Sequence, residues 1–140
     1  DLNYDGGHLN LLLAVGYPVD ESVREHQFDD RLGIGEFVYM DRLGNSATNE
    51  DLEQRGLEDI FAYARFAPSA YNAQPWRFVV VDDLINLYIK DYKGDVNLLD
   101  AGIIMYYIDK LGESISMGSN WEIEPKINND EYVYIASKRL

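Results

Sequence analysis

The run "NLLDAGIIMYYIDKLG", residues 97–112, leaves the fold little choice. Apolar side chains surround it on nearly every side, and only Asp100, Asp109 and Lys110 interrupt them. A helix that is hydrophobic all round must be covered on several faces. In a chain of 140 residues this predicts either a buried central helix or one that meets another subunit. With 46% of its residues hydrophobic, the chain can build one compact core around that helix.

The other segments read as strands and one earlier helix. "HLNLLLAVGY", residues 8–17, is short, continuously apolar and ended by Gly16 and Pro18, which predicts a buried strand. "PVDESVREHQFDDRLG" is polar and turn-rich. "IGEFVYM" fits a short strand or one loose helical turn, and "DRLGNSATN" reads as a linker. Thr48 and Asp51 have the form of a capping box. Leu57, Ile60, Phe61 and Ala64 then recur at helical spacing, so the main helix is expected from Gly56 to just before Pro68. "WRFVVVDD" and "LINLYIKDY" alternate as a hairpin would, and "SISMGSNWEIEP" and "DEYVYIASKRL" supply two closing strands. Strand, helix, two strands, helix, two strands predicts an α+β fold with an antiparallel sheet packed by helices and no βαβ repeat.

Charge narrows the function classes. The net charge of −13 disfavours nucleic acid, whose binding runs on cations against phosphate. It disfavours an anionic membrane surface for the same reason. Solubility explains most of the acidity, and an acidic module for cationic partners is a third, weaker reading. The chain has no cysteine, which removes disulfides, thiolate nucleophiles and Cys-ligated metals and suits a cytoplasmic protein. No stretch has the length of a membrane span, and the apolar opening lacks the basic flank and cleavage site of a signal peptide. The chain starts at Asp1 rather than Met, so the natural N-terminus is left open.

Most single motifs have an ordinary explanation. His8 and His26 have no Ser, Cys or second ligand at a useful spacing and read as surface residues; neither a triad nor a zinc site is supported. "DGG", "GIG" and "KGD" match no phosphate loop or dinucleotide fingerprint and read as turns. No two carboxylates stand out as a glycosidase pair. The tyrosines mostly fall in strands and in the 97–112 helix, where packing accounts for them.

"FAPSAYNAQPW", residues 66–76, is the exception. It can be a stiff connector in which Pro68 stops a helix, Pro75 starts a strand and Trp76 fills core. It can equally be a binding loop, because polar groups for function commonly sit on loops held by rigid elements.

"ARFAPSAYNAQPWRFVVV" resembles the signature of the nitroreductase family, an Ala-Arg-x-Ala-Pro-Ser-x-x-Asn-x-Gln-Pro-Trp run at a helix end followed by a strand. "LLLAVGYP" is similar to that family's late Gly-Tyr-Pro strand. "RLGIGEFVYMD" is similar to the tail after it, where Arg31 matches a basic residue near the flavin phosphate. Here the late piece precedes the early one. That order resembles the C-terminal part of the Thermotoga-type branch, in which two nitroreductase-like halves are fused and imitate a homodimer. "DAGIIMYYID" resembles that branch's Asp-x-Gly-Ile-x-Met helix and "EYVYIASKRL" its terminal strand. The resemblance implies that residues 1–44 end a preceding half and residues 45–140 form a second one.

It further implies an FMN-dependent oxidoreductase, with NAD(P)H as donor and a nitro or quinone-type acceptor. Pro68, Ser69, Ala70 and Asn72 would then meet the flavin and Arg31 its phosphate, while Gln74, Pro75 and Trp76 hold the loop's shape. No side chain is assigned a catalytic role, since the cofactor carries the chemistry. The family's Arg-Arg-Ser-x-Arg cluster has no match, and Arg24, Arg31 and Arg42 are scattered singles. The flavin site is therefore expected to be incomplete without the preceding half. A flavin-free half that dimerises through the 97–112 helix, with itself or with that counterpart, is the alternative.

Overall fold

The computed structural model describes residues 12, 13, 15–17, 19 and 30–140, apart from 119 and 129. Half of the strand expected over residues 8–17 lies outside the described residues. Those described there, Leu12, Leu13, Val15 and Tyr17, are exposed and belong to no strand.

From Asp30 onward the chain builds a sheet with helices against it. "IGEFVYM" turns out to be both of its expected alternatives in succession: α1 (Ile34–Phe37) is one helical turn and β1 (Val38–Met40) a short strand. Glu36 closes α1 by accepting the Gly33 amide at 2.6 Å. α2 (Asn49–Glu53) starts at the expected capping box, where the Asp51 amide donates to the Thr48 hydroxyl at 3.1 Å and Asp51 accepts the Thr48 amide at 2.9 Å. Gly56, at φ +67°, takes the left-handed turn that separates α2 from α3 (Glu58–Ala64). β2 (Trp76–Val81) and β3 (Leu84–Lys90) form the expected hairpin. α4 (Asp95–Gly112) begins two residues before the expected run, after Gly94 at φ +112°. β4 (Trp121–Lys126) and β5 (Tyr132–Arg139) close the fold.

The α+β class holds, but the sheet is mixed rather than wholly antiparallel. Its order is β1-β2-β3-β5-β4, and β1 runs parallel to β2 with Val38 opposite Phe78. β1, α2, α3 and β2 are therefore one βαβ unit where none was expected. A strand of three residues leaves too short an alternation to be read from sequence, and the parallel pairing is fixed by a partner some forty residues away. The remaining pairs are antiparallel.

The core lies between the sheet and the helices. Leu57, Ile60, Phe61 and Ala64 are all buried, as their spacing requires. Phe37, Phe61 and Phe78 meet at 5.2–6.2 Å between ring centroids in tilted and edge-on contacts. Phe37 and Val38 belong to this core, so the segment before the linker is built into the sheet of the segment after it. α4 is buried along one face only. Ala101, Ile104, Met105 and Ile108 point inward, whereas Val96, Leu99 and Tyr106 are 46%, 49% and 60% exposed.

Candidate binding loop between α3 and β2

α3 ends at Ala64, and the chain then passes through Pro68 into a tight turn over Ala70–Asn72. Three residues here are left-handed without being glycine: Tyr71 at φ +53°, Asn72 at +55° and Gln74 at +46°. Such backbone costs of order 1 kcal/mol or more each and persists only where surrounding contacts impose it.

Those contacts come from four directions. Within the loop, the Gln74 amide donates to the Ser69 hydroxyl at 2.9 Å, the Asn72 amide to the Ser69 carbonyl at 3.0 Å and the Ala73 amide to the Ala70 carbonyl at 3.0 Å. From the preceding tail, the buried Gln74 amide group bridges two residues. Its Nε2 donates to the Asp30 carbonyl at 2.8 Å, and its Oε1 accepts the Leu32 amide at 2.9 Å. From β3, the Lys90 amide donates to the Pro75 carbonyl at 2.8 Å. From α4, Asp100 Oδ1 accepts the Ala70 amide at 2.9 Å.

The fold thus gathers the residues that the sequence singles out. Arg31 lies beside the loop, its Nη1 donating to the Ala67 carbonyl at 2.8 Å, and Arg65 Nη2 reaches the Arg31 carbonyl at 3.3 Å. Pro68 and Asn72 are exposed, while Ser69 and Ala70 are half-buried. Asn72 Nδ2 donates to the Asp30 carbonyl at 3.1 Å. Ala70 has its amide and its carbonyl occupied within the protein. Among the described residues, the Ser69 hydroxyl hydrogen and Asn72 Oδ1 remain without a partner. One is a donor and the other an acceptor, on a backbone that cannot easily turn away.

Gln74, Pro75 and Trp76 are buried, with Trp76 only 1% exposed. Two residues that sequence reasoning did not place in the site are Asn97 and Asp100. Their signal was available: an acid and an amide on the most apolar helix have to be satisfied by something when buried. Behind the loop, Ala73, Pro75, Arg77, Lys90, Asp91, Lys93 and Asn97 line a cleft of about 330 Å³. Arg77 spends Nη1 on the Gln74 and Trp76 carbonyls, which stiffens the exit from the loop. A second cleft of about 430 Å³ lies away from the loop, between α3 and the end of α4, with Ile60, Tyr63, Leu111 and Ile115 under an acidic rim.

A family model described as "Putative TM nitroreductase" matches residues 3–110. That span takes in Arg31, the whole of the 66–76 loop and most of α4. Neither the curated proteins nor the solved structures hold a match to the chain. Among the described residues no helix is long and apolar enough to cross a membrane.

Proposed function

This chain belongs to the nitroreductase family of oxidoreductases, and from that premise we propose that it supplies the C-terminal part of an FMN-dependent enzyme. The observation that carries the reading is the Ser69–Asn72 pair: among the described residues a half-buried hydroxyl that accepts the Gln74 amide and still has its own hydrogen to donate, and an exposed amide whose oxygen is unspent, on a loop held from the tail, β3 and α4. The polar edge of an isoalloxazine offers both acceptors and donors beside a flat apolar surface, so these two groups fit it. Pro68 and Ala70 would border the ring with little bulk, and Arg31 would stand near the phosphate. Held there, FMN would supply the chemistry of hydride and electron transfer between NAD(P)H and a nitro or quinone-type acceptor. The chain's own residues bind and orient; none has to donate or remove a proton for this reading to hold.

In this reading residues 1–44 end a preceding half and residues 45–140 make the second. The tail would hand β1 to the sheet of the half that follows. The missing basic cluster would come from upstream. Each charge-assisted hydrogen bond to a phosphate is worth about 1.5–3 kcal/mol, so lacking two weakens binding by roughly a hundredfold or more. Titrating FMN against this chain alone, and against the chain together with its upstream half, tests this. Weak or no binding alone and tight binding with reduction by NAD(P)H in the combined protein are expected. A combined protein that stays colourless and does not bind FMN overturns the reading.

One observation favours the alternative, a flavin-free half whose role is assembly: the outer face of α4 is apolar and open at Val96, Leu99 and Tyr106. The same titration separates the two, because assembly without flavin absorbance is what the alternative requires.

A further inference from the structure

Asp100 sits on the inward face of α4 and is 1% exposed. Burying a carboxylate is costly unless its oxygens are satisfied. Among the described residues, the ion pairs all lie elsewhere and no cation contacts it. What satisfies it is polar and directional. Oδ1 accepts the Ala70 amide at 2.9 Å, and Oδ2 faces Asn97 Nδ2 at 3.5 Å. Asn97 is itself buried, and its Oδ1 accepts the Lys93 amide at 2.7 Å. That bond sets which way the Asn97 amide points, and so presents its donor to Asp100. Lys93, Asn97, Asp100 and Ala70 form a relay with only one consistent sense of donors and acceptors.

A leucine at position 100 would pack among Ala101, Ile104 and the sheet without this cost. The return for keeping an acid has to be found at the loop. The Ala70 amide opens the turn whose next residues, Tyr71 and Asn72, are left-handed. It is also the point at which α4 grips the loop. We propose that Asp100 is a positioning residue: oriented by Asn97, its carboxylate fixes the Ala70 peptide and thereby holds the flanking Ser69 and Asn72 side chains in place. What those groups face rests on the function proposed above; the grip on Ala70 does not.

The relay makes a specific double-mutant cycle available. Asp100→Asn sets one amide donor against another, and Asn97→Asp sets one carboxylate against another. With both changes, position 97 again accepts from Lys93 and pairs with position 100, whose amide oxygen accepts from Ala70. Hydrogen exchange is measured on the amides of residues 69–74 in the whole chain, with α4 amides 104–108 as the internal reference. Each single variant, and Asp100→Leu, is expected to speed Ala70 exchange about tenfold or more relative to the reference. The double variant should return it to within about threefold of wild type. A residue needed only for general stability would move loop and reference together and would show no such rescue. Unchanged Ala70 exchange in Asp100→Leu overturns the proposal, as does a double variant no better than the sum of the singles. Should Asp100→Leu fail to fold, the cycle alone decides. If exchange follows the cycle while FMN affinity of the combined protein does not, the positioning role stands and the flavin reading falls.

Discussion

Asn72 and Trp76 are four positions apart and do different work. Asn72 is exposed, and among the described residues its side chain makes one hydrogen bond, to the Asp30 carbonyl. Asn72→Ala should therefore cost the apo protein no more than about 1 kcal/mol, most of it because Ala tolerates the left-handed backbone at φ +55° less well than Asn. In the flavin-competent protein it should weaken FMN binding by about 1–2 kcal/mol. Trp76 is enclosed in the core, and Trp76→Ala should cost about 3–5 kcal/mol of stability. Denaturant melts of the apo proteins beside FMN titrations distinguish the two. If Asn72→Ala destabilises the apo fold by more than about 1 kcal/mol and spares flavin affinity, the loop is only a connector. Asp51 gives a pH-dependent counterpart. Its bonds from the Thr48 hydroxyl and amide hold the carboxyl below the ordinary Asp value. A depressed value means the cap's contribution is complete above the unfolded-state pKa and is lost as pH falls through the folded one. Asp51→Asn should lower the Tm near neutral pH, and the gap to wild type should close in acid. A gap that stays constant across the acid limb would contradict this.

Between elements, an ion pair links β5 to α4. Lys138 is 2% exposed and lies 3.0 Å from Asp109, which is 42% exposed. The ammonium also faces the Trp121 ring at 5.9 Å. The two ends should respond unequally. Lys138→Met fills the space of the stem but leaves Asp109 Oδ1, the buried oxygen of a partly exposed carboxylate, without its cation, so it should cost about 1–2 kcal/mol. Asp109→Ala leaves the buried cation to its remaining contacts and should cost about 2–3 kcal/mol, less than a fully buried pair because Asp109 is itself partly in solvent. Equal costs in urea melts would show that the pair is not buried asymmetrically in solution. On the sheet, burial and the neighbouring Tyr134 push the Tyr88 hydroxyl up from its ordinary value. The protonated form is the one the fold prefers, so stability should decline once pH rises past the unfolded tyrosine value.

At the scale of the whole molecule, an apolar strip on α4 has no cover among the described residues. Val96, Leu99 and Tyr106 lie along α4 three to seven residues apart, on the side away from the sheet. The chain should therefore self-associate, or bind a hydrophobic dye, in the absence of any other half. Leu99→Glu should shift sedimentation towards monomer while leaving the unfolding free energy within about 0.5 kcal/mol, since that side chain is half in solvent already. A wild-type chain that sediments as a monomer and binds no dye would remove the interface.

Local pattern was enough wherever neighbours in sequence decide the outcome. The Thr48–Asp51 box, the buried stripe from Leu57 to Ala64 and the β2–β3 hairpin were legible because period, cap and turn chemistry act over a few residues. The same pattern could say that the 97–112 helix needs cover on several sides, but not which side its own chain would supply. Three things awaited the tertiary structure. β1 is parallel to β2 because a distant strand edge accepts it. Arg31 meets the loop because Gln74 ties down the tail at Asp30 and Leu32. Asp100 belongs to the loop because the Ala70 amide, thirty residues earlier in the chain, comes to lie against α4. A buried acid announces that it needs a donor; only the packing of one element on another determines which donor comes within reach.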